Sequence, residues 1–237
     1  MFLVIKKRAM VIILCCVMVF ATIFSVIKFT TFKANSSPYL LTIVLDAGHG
    51  GVDGGSTGVN TGITESEINL VYTSKIEKYL RACNINVIQT RTTMNGLYDY
   101  YDNDFKKRDM EKRKEVIEKA DPDLVISLHM NKFSDASQNG AQVFYGETNS
   151  CSKNLADSIR DELVKNFDNA RPLTLVGDYY MTNCTTKPSV IVECGFLSNP
   201  QEEANLIDPT YQDKMSYAIF CGIMHYVLTN FPTISAT

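Results

Sequence analysis

The 237-residue chain has three histidines, and two of them, His49 and His129, stand beside turn residues at the ends of apolar runs. His49 lies in the glycine-rich stretch Gly48-His49-Gly50-Gly51 just after LLTIVLD (Leu40–Asp46), and His129 closes LVISLH (Leu124–His129). Buried strand ends rarely carry imidazoles for packing alone, whereas a divalent metal needs neutral imidazole nitrogens on rigid supports. Two carboxylates end strands in the same way: Asp46 closes LLTIVLD and Glu193 closes SVIVE (Ser189–Glu193). Two imidazoles and one carboxylate suit a catalytic zinc ion, which takes three protein ligands and keeps a further position open. No local motif such as H-E-x-x-H ties these residues together, so spacing alone leaves open both a metal centre and histidines satisfied in core or loop. His225 lies in the last helical pattern and reads as a packing or surface residue. Gly48-His49-Gly50 begins like a phosphate loop, but position 53 is Asp and no Walker lysine comes after it, which argues against nucleotide binding.

Residues so far apart in sequence meet only if a sheet collects them. Leu40–Asp46, Ile85–Thr90, Leu124–His129, Gln142–Tyr145, Pro172–Tyr180 and Ser189–Glu193 read as strands. Between them, Thr64 with Glu67 forms a capping box that opens a helix running to Asn84. Lys106–Lys119 is a charged helix stopped by Asp121-Pro122, Cys151–Phe167 is an amphipathic helix, and Tyr211–Leu228 is the closing helix. This alternation predicts an α/β fold: a single, mostly parallel twisted sheet of about six strands with helices on both faces. Active groups in such folds gather at the carboxyl ends of strands, where the candidate residues stand.

Composition narrows the function classes. With 45% hydrophobic and 21% charged residues the chain can bury a sizeable core. A formal net charge of -3 supplies no field toward nucleic acid, so no nucleic-acid partner is expected. Cys83, Cys151, Cys184, Cys194 and Cys221 are scattered without a C-x-x-C pair and read as free thiols, with one bridge optional. Lys6, Lys7 and Arg8 precede an uncharged run from Ala9 to Ile27, long enough for the ~20 residues that cross a bilayer. The basic cluster keeps the N-terminus cytoplasmic and places the chain beyond Lys28 on the outer side. The expected organisation is a membrane anchor or cleaved signal over 1–29, a tether over 30–38 and one exported domain over 39–232.

Six blocks in order carry a resemblance across Leu41 to Leu228: IVLDAGHGGVDGGSTG (Ile43–Gly58), Gly62-Ile63-Thr64-Glu65 with Ile68-Asn69-Leu70, Thr90-Arg91, Ser127–Asn131, Gly140–Tyr145, and Val192–Asn199. This pattern closely resembles the zinc-dependent N-acetylmuramoyl-L-alanine amidases of the Amidase_3 type. The resemblance implies one zinc ion held by His49, Glu65 and His129, with Glu193 acting in catalysis. Zinc lowers the pKa of its water toward ~7 and polarises the scissile carbonyl. Glu193 then serves as base toward the water and as acid toward the departing L-alanine nitrogen. Glu65 by itself also reads as a first-turn acid complementing the helix dipole. Asp46 reads either as support for a ligand or as a cap of its loop. Arg91 and Arg113 fall where the family has arginine, for surface pairing, helix packing or glycan contact, and Asn131 and Asn199 are candidates to orient the site. Two departures, Glu118 and Cys194 beside Glu193, bear on substrate fit.

The expected substrate is the peptidoglycan strand with its stem peptide, cut between the lactyl group of N-acetylmuramic acid and L-alanine. A single domain behind a membrane segment looks like the sporulation branch of the family, which trims spore-cortex peptidoglycan toward muramic lactam. That places the protein outside the cytoplasmic membrane, in the space of the developing spore cortex. The alternatives are a general wall amidase for division or autolysis, a zinc carboxypeptidase acting on the stem, or a binding module without activity. The absence of wall-binding repeats points further to an activating protein partner that orders the ligands or helps hold zinc.

Overall fold

The computed structural model describes residues 17–22, 41–98, 104–147 and 149–231. The chain separates into two compact units, Met1–Pro38 and Tyr39–Thr237. Within the first, residues 17–22 are helical, and the rest of the expected membrane segment lies outside the described residues. Among the described residues no helix is long and apolar enough to cross a membrane.

The second unit is built on six strands: β1 (Thr42–Ala47), β2 (Asn86–Gln89), β3 (Leu124–Asn131), β4 (Gln142–Tyr145), β5 (Leu175–Val176) and β6 (Ser189–Phe196). They form one sheet in the order β2-β1-β3-β6-β4-β5. All neighbours are parallel except β4 and β6, so the predicted mostly parallel sheet is present with a single antiparallel pairing. Among the described residues of this unit six helices complete it: α1 (Glu65–Ala82), α2 (Phe105–Ala120), α3 (Ser150–Asn166), α4 (Tyr180–Asn183), α5 (Pro200–Ile207) and α6 (Pro209–Asn230).

Successive strand residues point to opposite faces, and here the two faces differ in character. Ile43 and Leu45 of β1, Leu124, Ile126 and Leu128 of β3, and Val190, Val192 and Cys194 of β6 join the larger core with α1, α3 and α6. The opposite face carries a smaller cluster in which Val44, Val125 and Ile191 meet Ile117 of α2 and Met181 of α4. Alternation then assigns Asp46, Ser127, His129 and Glu193 to the smaller face. Cys194, one residue after Glu193, is buried on the other side, among apolar neighbours.

Helix α1 is oriented by Ile68, Tyr72, Ile76 and Leu80, spaced four residues apart and fully buried against the sheet. Each of the three aliphatic side chains, Ile68, Ile76 and Leu80, contributes ~1.5–3 kcal/mol when buried. The helix start is fixed by Glu67, whose carboxylate accepts from the Thr64 N–H at 2.9 Å and the Thr64 hydroxyl at 2.8 Å. Glu67 is therefore spent on the cap, and Glu65 turns inward.

Two elements differ from expectation. Pro172–Tyr180 is not a full strand: only Leu175 and Val176 pair, at the exposed sheet edge, and Tyr180 already begins α4. The run is apolar because Phe144 packs edge-on against Tyr179, with ring centroids 5.4 Å apart, not because it is an inner strand. Helix α5 was not anticipated, although Asn199 caps it from the N-terminal side, accepting from the Gln201 and Glu202 N–H groups at 2.9 and 3.2 Å, with Pro200 in the first turn.

Candidate metal centre

His129 lies near the carboxyl end of β3, Glu65 opens α1, and His49 comes after β1 in the loop to α1. The structure brings these three together: one donor atom from each lies within 4.8 Å of the others. Glu65 is the hub. Its Oε1 faces His129 Nδ1 at 2.8 Å and His49 Nε2 at 3.2 Å, and accepts from the Met130 N–H at 3.1 Å. Its Oε2 accepts from the Ser56 N–H at 2.8 Å. Burial pushes this carboxyl up, but the two imidazoles outweigh it and hold it well below the usual range. Burial likewise opposes charge on His49, while Asp53 and Glu65 drive its pKa up to about 9. His129 is also raised, burial opposing and Glu65 favouring the cation. Two imidazolium-prone rings against one buried carboxylate form a donor set in which a divalent cation can replace protons. The residues fit a metal of the zinc type, which takes nitrogen and carboxylate oxygen together.

The loop geometry is exacting. His49 has a left-handed φ of 61°, a conformation few non-glycine residues adopt. Two buried guanidiniums hold it there by gripping successive backbone carbonyls. Arg91 donates to the Ala47 and Gly48 carbonyls at 2.8 Å each, and Arg113 donates to the Ala47 and His49 carbonyls at 2.7 and 2.6 Å. Both arginines are therefore buried supports of the loop, neither surface pairs nor groups available to a glycan. A Cβ on Gly48 would stand 2.3 Å from His129 Nε2, so glycine is required where the loop passes the imidazole.

Asp46 makes no hydrogen bond to either histidine. Its carboxylate accepts from Thr90 at 2.6 Å, Ser127 at 2.5 Å and Arg113 at 2.5 Å, so it supports the site through Arg113. Burial works to raise its pKa, but Arg113 and the two hydroxyls prevail and bring it from 3.8 to about 2. Because the folded-state pKa lies below 3.8, this stabilisation is complete above that pH and is lost as pH falls through about 2. Arg113→Met strands the buried carboxylate, at a cost of ~3–5 kcal/mol, and is expected to move the acid-unfolding midpoint to higher pH. Coincident acid-unfolding curves, recorded by circular dichroism, would count against this role.

Asp53, which sequence reasoning passed over, accepts from His49 Nδ1 at 3.0 Å and leaves Nε2 to face Glu65. Gly50 and Asp53 exchange backbone hydrogen bonds of 2.8 and 3.2 Å that set this turn. A carboxylate behind a ligating imidazole fixes its tautomer and raises its basicity. Asp53→Asn is expected to weaken zinc affinity by ~10–100-fold in a competition titration, and an unchanged affinity would sink the assignment.

Glu193 faces the same site from β6, directly paired in register with His129. Its Oε2 is buried without a hydrogen-bond partner. Burial pushes its carboxyl up to about 7, where a group can both take and return a proton at neutral pH. Asn131 donates to Gln142 Oε1 at 3.2 Å beside this carboxylate, whereas Asn199 is engaged as the α5 cap and in a bond to the Gln138 carbonyl. Glu202 and Glu203 were also missed: Glu203 accepts from the Asn60 and Thr61 N–H groups at 2.8 Å each, and Glu202 from the Gly140 and Phe196 N–H groups at 2.9 and 2.8 Å. Both brace loops around the site, and nothing in their local sequence marks them. His225 and Glu118 are exposed and lie apart from the cluster, and Cys83, Cys151, Cys184, Cys194 and Cys221 are free thiols.

Residues 43–225 match the Amidase_3 family, N-acetylmuramoyl-L-alanine amidase. The chain belongs to this family. Among relatives of this Amidase_3 chain, the germination-specific N-acetylmuramoyl-L-alanine amidase of Bacillus subtilis is 34% identical over 188 residues, covering 78% of each chain. The amidase LytC of the same organism is 28% identical, over 78% of this chain and 35% of LytC. In three dimensions it is similar to the CwlD amidase from Clostridioides difficile, solved in complex with the GerS lipoprotein. There the TM-score is 0.76 and the identity 35%, over 80% of this chain and all (100%) of that one.

Proposed function

We propose that this protein hydrolyses the amide bond between the lactyl group of N-acetylmuramic acid and L-alanine in peptidoglycan, with zinc held by His49, Glu65 and His129. When bound, zinc supplies Lewis-acid polarisation of the scissile carbonyl and makes water acidic enough to attack near neutral pH. Glu193 takes the proton from the attacking water and returns it to the alanine nitrogen as the C–N bond breaks. Arg91, Arg113 and Asp53 keep His49 in place, and Glu65 fixes both imidazoles. The observation that carries this reading is the unpartnered Glu193 Oε2 beside the three converging donors. A buried carboxylate oxygen left without a partner is costly unless the site gives it a task. The test is mass analysis of peptidoglycan digested by the zinc-loaded protein. Free lactyl groups with intact L-alanine-led peptides support the amidase. Shortened stems on an intact lactyl amide would establish a carboxypeptidase instead.

The spore cortex is the wall layer we assign to it, because both the germination-specific relative and the CwlD structure cover most of the chain. Loss of muramic lactam from the spores of a deletion strain is the expected result. Normal lactam with chained vegetative cells would favour a general wall role. The N-terminal basic and apolar segment fits export to the outer face of the membrane. The CwlD structure was solved with a lipoprotein partner, and a protein partner here is a natural extension. Full zinc occupancy and turnover of the purified domain alone would remove the need for one.

A further inference from the structure

Beside the metal centre, on the smaller face of the sheet, lies a cleft of about 290 Å³ between α2 and the turn into α4. Its volume is at the lower end of small-ligand pockets, about 300 Å³, and suits a short arm of substrate better than a polymer strand. Met110 of α2, Met181 of α4 and Ile191 of β6 are its apolar lining, His49 and His129 stand at one end, and Tyr179 forms a wall. Tyr179 is held by the edge-on contact with Phe144, and a Cβ on Gly177 would stand 2.2 Å from its ring, so the ring is seated before any ligand arrives.

The cations of the lining have different duties. Arg113 is buried and committed to Asp46, Asp109 and two backbone carbonyls. Lys106 is 69% exposed and has Asp53 at 3.7 Å, beyond hydrogen-bond reach. A loosely paired ammonium at the rim of an apolar cleft can accept an anion without breaking a strong bond. Asp46 and Asp109 both accept from Arg113, and Asp53 accepts from His49, so each carboxylate of the lining already has a hydrogen-bonded partner.

The geometry points to this cleft as the seat of the stem peptide. The alanine methyl lies among Met110, Met181 and Ile191, Tyr179 covers the peptide, and Lys106 reads the free α-carboxylate of the γ-linked acidic second residue. This assignment rests on the proposed amidase activity and adds which arm of the substrate enters the cleft and what selects it. Stem peptides with that carboxylate amidated are the discriminating comparison, since the two substrates differ by one charge on the same glycan.

The experiment measures kcat and KM of the zinc-loaded protein on muramoyl peptides with the second-residue carboxylate free or amidated. The wild type is expected to show a KM about three- to fivefold lower for the free carboxylate, the size of one partly exposed ion pair. Lys106→Gln is expected to collapse that ratio toward one, and Lys106→Arg to restore it. Tyr179→Ala is expected to raise KM for both stems and Tyr179→Phe to leave KM near wild type. Equal wild-type KM values, or a Lys106→Gln effect of the same size on both stems, would overturn the assignment and place the glycan arm in the cleft. Failure of the wild type to cut either stem would instead overturn the amidase reading itself.

Discussion

Glu193→Gln is expected to keep its metal and lose turnover by ~10²–10⁴-fold, the usual contribution of a positioned general base and acid. The substitution preserves shape while removing the only function assigned to the side chain. Glu193 makes no ion pair or hydrogen bond through Oε2 that the variant would break. Its carboxyl already sits at about 7 because burial disfavours the anion, so a neutral amide relieves a desolvation cost. Thermal stability should therefore be equal to or above that of the wild type, and zinc content measured by atomic emission should be unchanged. A variant that binds zinc normally and turns over within tenfold of the wild type would remove Glu193 from the chemistry.

Glu65→Gln is expected to do the reverse and empty the site. The Glu65 carboxylate receives two imidazoles and the backbone N–H groups of Met130 and Ser56. Glutamine offers one acceptor oxygen where two are used, so one buried N–H loses its partner, a penalty of ~1–3 kcal/mol. It also removes the negative charge that holds the imidazoles in place and would offset that of a bound cation. Zinc should fall to a small fraction of one per chain and hydrolysis to background. In the metal-free variant the His49 pKa should drop from about 9 toward 6.5, because the Glu65 contribution is gone. Proton NMR titration reads that change, and a fully zinc-loaded, active Glu65→Gln protein would exclude Glu65 as a ligand.

The sequence patterns that proved readable are those set by short-range physics. The capping pair Thr64 and Glu67 located the start of α1 to the residue, and apolar runs closed by glycine or histidine located β1 and β3. His49, His129 and Glu193 stood out by their places at strand ends, whereas Glu65 and the roles given to all four came from six blocks in order that carried a family resemblance. Residue type and spacing alone left the metal centre undecided. What escaped notice is long-range. Arg113 lies 67 residues from Asp46 and Glu203 lies 143 residues from Asn60, so no window of sequence shows that they meet. One clue was present in α2, where Asp109, Arg113 and Ile117 repeat every four residues and make one buried stripe on a helix otherwise rich in exposed charge. A charged pair in phase with a buried isoleucine signals a buried ion pair. The two-residue β5 was overread for the opposite reason: its apolar side chains are exposed at an edge.

His129 and Glu193 are lateral neighbours on adjacent parallel strands. The interval between the proposed base and the ligand opposite it is thus dictated by the backbone ladder, whose strands sit ~4.7–4.9 Å apart, and not by any loop. Loops other than the one that carries His49 can lengthen, shorten or change charge while this ruler stays constant. Diversification of what is cut can therefore proceed without retuning how it is cut.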